Sequence, residues 1–378
     1  MPSFLRPHGR FFVPALLLLS SFAAKAEKPI GAEITSLRAI AAAALLPSSA
    51  SPLVAVLDTS FEVLHPSLVT KLVPGYNVFT GGVDVGLKMT DSVLYTHGTA
   101  VAGIITGDPL LSIWPRAVYP SARILPVKIC CADSSGQTDS NLLRQGILYA
   151  AGIRNDYGLA SPERAAVINV SYVMSNMNDP GLVDAIRQAN EAGSIVITAL
   201  GESTPQISQS MAGLSGIVGV VTASAAKSLP ITSEPMPIIP APGTNLFTVM
   251  PSGTPLAPIP DWAGVTGSSF ATAVASAVAA MVIAANPNLS PGDVAKILSS
   301  PQAYDAEGLD AVLAVQMADT LPLPPTQGSG SSSGGGSSPS SSGGSGGGSS
   351  GGGALDGMTL WFLMLPALFA TIWRRQRR

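Results

Sequence analysis

Charge, cysteine, histidine and aromatic residues are all scarce in this chain. Only 11% of its 378 residues are Asp, Glu, Lys or Arg, and the formal net charge is −3. That balance, with no basic patch interleaved with aromatics, excludes nucleic acid as a partner. Two cysteines exclude a disulfide-built scaffold. They are the neighbours Cys130 and Cys131, with no histidine nearby to complete a metal site. Two readings of the pair stand: small apolar residues ending a strand, or a vicinal disulfide in an oxidising compartment. Aromatics make up 6% and no internal repeat is present. What remains is 46% hydrophobic, a composition suited to a buried α/β core with few surface ion pairs.

The two ends have their own composition. Arg6, His8 and Arg10 precede an apolar run over 11–24, and Ala24-Lys25-Ala26 follows. This predicts a secretory signal peptide over 1–26. Residues 27–52 form a short extension and 53–320 the folded domain. Residues 321–353 open with prolines and become almost entirely Gly and Ser, a composition that predicts a flexible linker. In 354–378, sixteen uncharged residues (358–373) lead into Arg374-Arg375-Gln376-Arg377-Arg378. The run is short for a bilayer span, and the arginines predict a cytoplasmic end.

Within the domain, apolar runs at 54–57, 124–127, 167–170, 195–198 and 217–222 predict buried parallel strands. Helices are expected at 98–106, 140–155, 180–192, 270–285 and 290–299. The alternation predicts an α/β fold with a central parallel sheet flanked by helices in three layers. The proline-rich stretch 229–260 reads as an extended surface loop.

Three segments carry chemistry. Val54-Ala55-Val56-Leu57-Asp58 ends an apolar run in a carboxylate. His97-Gly98-Thr99-Ala100 opens a segment of small residues. Gly267-Ser268-Ser269-Phe270-Ala271 begins an apolar helix. A serine hydroxyl needs a base to become a nucleophile. Neutral imidazole serves, and a buried carboxylate holds its tautomer. Asp58, His97 and Ser269 lie 39 and 172 residues apart, in one of the three chain orders known for this triad.

On these segments the chain resembles the subtilisin-like serine peptidases, the subtilase or S8 family. The likeness extends to Phe61–Leu68, Ile124–Lys128, Ser134–Gln137, Val167–Ser171 and Ala241-Pro242-Gly243. The resemblance implies a polypeptide substrate, an endopeptidase activity and no organic cofactor, with structural calcium in some members. It further implies that Ser171, Tyr172, Val173, Ala199, Leu200 and Gly201 line the substrate. Familiar secreted members carry a propeptide several times longer than residues 27–52, so the expectation is that the fold assembles unaided or that control is exerted by localisation.

Two departures stand out. The family's oxyanion-hole asparagine follows a glycine at a strand end; here Gly201 is followed by Glu202. Ionised glutamate accepts hydrogen bonds but cannot donate them, and loss of that donor in subtilisin costs about 10²- to 10³-fold in turnover. Either a protonated Glu202 donates, or it points to solvent while Ser203 or Thr204 and the Ser269 backbone N–H serve. A catalytically impaired pseudopeptidase that binds protein is the alternative this residue raises. Bulky Tyr172, Val173 and Met174 also replace the small glycines after the strand serine. The tail layout resembles the GlyGly-CTERM sorting tails of Gram-negative bacteria. That resemblance implies attachment to the membrane through the C-terminal helix and processing by a rhombosortase-type protease. An exported chain, in the periplasm or at the cell surface, is the expectation.

Overall fold

A computed structural model describes residues 35–87, 96–107, 115–130, 139–173, 178–201, 214–227, 236–254, 257–306 and 308–321. All fall in the first of two units, residues 1–325. The predicted signal peptide (1–26) and sorting tail (354–378) lie outside the described residues, as do Cys131, Met174 and Glu202.

Seven strands build the central sheet: β1 (Leu53–Asp58), β2 (Tyr76–Asn77), β3 (Arg123–Lys128), β4 (Val167–Val170), β5 (Ile195–Ala199), β6 (Ile217–Thr222) and β7 (Ile238–Ala241). Their order is β2-β3-β1-β4-β5-β6-β7, and every neighbouring pair is parallel. Residues of β1 alternate between two cores. Val54 and Val56 face one, while Leu53, Ala55 and Leu57 face the other. Burial on both faces is why these strands are continuous apolar runs rather than alternating ones.

Seven helices are described: α1 (Ala39–Ala44), α2 (His97–Thr106), α3 (Ser140–Ala150), α4 (Pro180–Glu191), α5 (Ser268–Ala285), α6 (Pro291–Ser299) and α7 (Ala311–Thr320). Helices α3 and α4 cover one face of the sheet; α2 and α5, backed by α6, α7 and α1, cover the other. The result is the expected three-layer α/β architecture. Helix α5 is the one described helix long and apolar enough to cross a membrane, yet 78% of that span is buried inside the fold. Its alanines favour helix and let it lie close beneath β4, β5 and β6.

Caps fix where helices begin. Asp139 accepts from Leu142 N–H at 2.7 Å to start α3. Asp179 accepts from Gly181 and Leu182 N–H ahead of α4, with Pro180 in the first turn. Helix α3 stops at Ala150, short of the predicted 155, where Gly152 turns the chain at φ 73°.

Residues 229–260 correct the extended-loop expectation. They supply β7, β8 (Leu246–Val249) and the hairpin β9 (Ser252–Thr254) with β10 (Ala257–Ile259), and β8 pairs antiparallel with β11 (Trp262–Val265), which follows the stretch. Pro240 sits within β7, the last strand of the sheet, where a missing N–H is tolerated. The extension before β1 is integral to the core as well. Leu37 and Ala42 are fully buried, and Arg38 Nε donates to Asp310 at 2.6 Å.

Candidate active site

Asp58 is the last residue of β1 and is wholly buried. Its Oδ1 accepts from the Thr59 N–H at 2.7 Å. His97 opens α2, and its Nδ1 lies 2.8 Å and 3.0 Å from the two Asp58 carboxylate oxygens. Burial disfavours the imidazolium. The Asp58 charge and hydrogen bond outweigh that, so the His97 pKa is held above its usual 6.5.

Close approach of α2 to the β1 exit depends on Gly98. A β-carbon there would stand 2.9 Å from the Ser60 carbonyl and 3.1 Å from the Phe61 ring. Its N–H donates to Thr59 Oγ1 at 3.0 Å, and Glu62 N–H donates to Thr99 Oγ1 at 2.9 Å. These bonds stitch the start of α2 to the turn leaving β1.

Ser269 is the second residue of α5. Gly267 precedes the helix at φ 150°, a conformation that favours glycine. Having no side chain, Gly267 caps none of the first-turn amides, and the Ser269 N–H lies among them. The Ser269 hydroxyl donates to the Ser171 carbonyl at 3.0 Å. Among the described residues no hydrogen bond joins it to His97. The His97 ring nonetheless sits 5.2 Å, centroid to centroid, from Phe270, the residue after Ser269. Asp58 and His97 are therefore in contact, with Ser269 beside them and its hydroxyl turned toward β4.

The proposed substrate lining gathers around the same strand ends. Ser171 and Ala199 are buried, Leu200 is nearly so, and Val173 is half exposed. Gly201 takes a left-handed φ of 83°, and a β-carbon on it would lie 3.6 Å from a Val173 methyl. The Tyr172 hydroxyl titrates above its usual value because of burial and the negative charge on Asp58. It lies 3.5 Å from Cys130 Sγ. Cys130 is disulfide-bonded, and Cys131 is the only other cysteine in the chain.

Several participants escape a reading of motifs. Lys128 pairs in register with Asp58 and is buried, its Nζ donating to Ser60 Oγ at 2.6 Å. Asn169 donates to Ser171 Oγ at 2.9 Å and accepts from Ser276 on α5. A polar residue inside the apolar run Val167–Val170 was the available signal. Among the described residues no cluster of three or more His, Cys, Asp or Glu could hold a metal.

Comparison with known proteins adds the following. Thermitase from Thermoactinomyces vulgaris is 28% identical over 70% of this chain and 88% of its own length. A thermophilic serine proteinase from Bacillus sp. (strain AK1) is 29% identical over 44% of this chain, but the chain spans only 37% of that relative. A solved protease from Pseudoalteromonas arctica superposes with TM-score 0.62 over 75% of this chain and 94% of its own, at 22% identity, which speaks for the fold alone. The subtilase family, peptidase S8, matches residues 49–315. Since that match runs unbroken from before β1 into α7, it takes in every element that carries the site, and the chain belongs to the subtilase family of serine endopeptidases.

Proposed function

We propose that the chain is an exported, membrane-tethered or surface-sorted serine endopeptidase in which Ser269 is the nucleophile, His97 the base and then acid, and Asp58 the orienting carboxylate. The observation that carries this reading is the buried Asp58 bound to His97 Nδ1 beside the start of α5. With Nδ1 occupied by Asp58, Nε2 is the free basic position of the imidazole.

In the reaction, Ser269 turns about χ1 from the Ser171 carbonyl toward His97 Nε2. Its Oγ bonds to the scissile carbonyl carbon as Nε2 takes the hydroxyl proton. The oxyanion is received by the Ser269 N–H at the uncapped start of α5, where the helix dipole also favours negative charge. Collapse breaks the C–N bond, and His97 gives its proton to the leaving amine. Water, deprotonated by His97, then attacks the Ser269 ester, and His97 returns that proton to Ser269 Oγ as the C–O bond breaks and the acid is released.

A fluorophosphonate probe tests the assignment. Wild-type protein should be labelled, and Ser269→Ala should not. Labelling that survives Ser269→Ala would refute the triad assignment. The second reading, a protein-binding pseudopeptidase, is favoured by Glu202 and by the Ser269 hydroxyl being hydrogen-bonded to Ser171 rather than His97. It predicts that wild-type protein fails to label at any pH.

Export and tethering rest on the composition of the two ends. Mass spectrometry of protein from its native host should find a chain beginning near Glu27. Processing by a rhombosortase-type protease predicts an end within 326–357, whereas a plain anchor keeps Arg378.

A further inference from the structure

We propose that Asn169 is a positioning residue for the nucleophile, acting through a one-way hydrogen-bond relay that runs Ser276, Asn169, Ser171, Ser269; the proposal rests on Ser269 being the nucleophile.

Asn169 is fully buried in β4 between Ile168 and Val170. A primary amide in such surroundings is costly unless its groups are bonded. Ser276 Oγ donates to Asn169 Oδ1 at 2.9 Å. Asn169 Nδ2 donates to Ser171 Oγ at 2.9 Å. Ser171 Oγ then donates to the main-chain carbonyl of Ser269 at 2.8 Å. Ser269 and Ser276 are seven residues apart on α5, two helical turns, and so share the face turned to β4.

The direction of the relay follows from chemistry. A carbonyl only accepts, so Ser171 must spend its single hydrogen on Ser269. Its lone pairs then need a donor, which fixes the Asn169 NH₂ toward it. The amide oxygen is left for Ser276. A return bond from Ser269 Oγ to the Ser171 carbonyl completes a two-way clasp between residues 171 and 269. The Ser269 hydroxyl also has one hydrogen, so the Ser171 carbonyl and His97 Nε2 compete for it. Asn169, by fixing where Ser171 stands, sets both the backbone position of Ser269 and the balance of that competition.

Asn169→Asp keeps the size and the bond from Ser276 but abolishes the donor to Ser171. The Ser171 hydroxyl then turns to the carboxylate and releases Ser269. Ser171→Ala removes the middle link without adding charge, and carries the test if a buried carboxylate prevents folding. Thr272→Val is the control. It deletes another buried α5 hydroxyl, one that donates to the Ser268 carbonyl within its own helix at 2.8 Å. Fluorophosphonate labelling rates, and kcat and KM on a fluorogenic peptide, are measured well below each variant's Tm. We expect Asn169→Asp and Ser171→Ala to lose about ten-fold or more in kcat and labelling rate with KM changed less than about three-fold, since small misplacements of a reacting group cost that much. Thr272→Val should keep the wild-type kcat. Wild-type rates in both relay variants, an effect on KM alone, or an equal loss in Thr272→Val would overturn the relay. Labelling that persists in Ser269→Ala would instead overturn the triad assignment beneath it.

Discussion

At the residue scale, the charge on Asp58 governs when His97 can act. The imidazole must be neutral to accept a proton, and its pKa is raised above 6.5 by that carboxylate. The acid limb of kcat/KM should therefore have its midpoint above pH 6.5. Asp58→Asn removes the charge, so the limb should move down, and kcat should fall by about 10⁴-fold as in other triads that lose the orienting carboxylate. A wild-type midpoint below 6.5, read from a pH–rate profile, would contradict the proposed pairing. Gly98 offers a second test. Gly98→Ala places a methyl against the rigid Ser60 carbonyl, so α2 must back away from β1 and carry His97 with it. The expected loss is about 1–3 kcal/mol in unfolding free energy, together with a fall in kcat, seen by denaturant titration and peptide assay.

At the element scale, α7 and α1 depend on one another. Asp310 caps α7 by accepting from Val312 and Leu313 N–H, and it also takes the Arg38 guanidinium. Asp310 is fully buried, whereas the Arg38 side chain is 45% exposed. Asp310→Ala should therefore cost mainly the cap, about 1 kcal/mol, plus whatever docking of α1 is lost with the ion pair. Arg38→Met should cost less than Asp310→Ala in the urea midpoint, because the cap survives. An equal or larger loss in Arg38→Met would show that the ion pair, not the cap, dominates.

Across the whole molecule, His65 links stability to acidity. It is fully buried, its Nδ1 accepts from Ser67 N–H at 3.2 Å, and burial pushes its pKa down to about 4 against the opposing influence of Asp261. The unfolded chain binds this proton near 6.5, so it holds more protons than the folded chain between those values. Stability from this group is present above pH 6.5 and is lost as pH falls toward 4, by about 3 kcal/mol in all. His65→Leu should flatten the decline in urea midpoint between pH 6.5 and 4. An unchanged decline would assign the acid sensitivity to other groups.

How much could be read beforehand follows the same physics. Strands β1, β3, β4, β5 and β6 were legible because burial on both faces writes an apolar run directly into the chain. Helix α5 was legible from its alanines. Asp58, His97 and Ser269 were legible because each sits in a short local motif. Strands β7 to β11 were not, since prolines such as Pro240 suit a sheet edge as well as a loop, and only the tertiary partner decides between them. Asn169 was not either, because its meaning depends on Ser276, 107 residues away. Helix α1 falls in the same class. Its six residues are mostly alanine, too short to declare themselves without the core they join.

The Ala311 N–H donates to the Leu37 carbonyl at 2.9 Å, so the last helix of the described fold starts against the segment that opens it. Chains whose terminal segments pack together in this way tolerate being rejoined and reopened elsewhere. A covalent loop made by ligating the two ends would leave every strand of the sheet in place. It would also shrink the ensemble available to the unfolded chain, which stabilises the native state through entropy alone. The same closure makes circular permutation a route to moving the open ends around the enzyme without rebuilding the sheet.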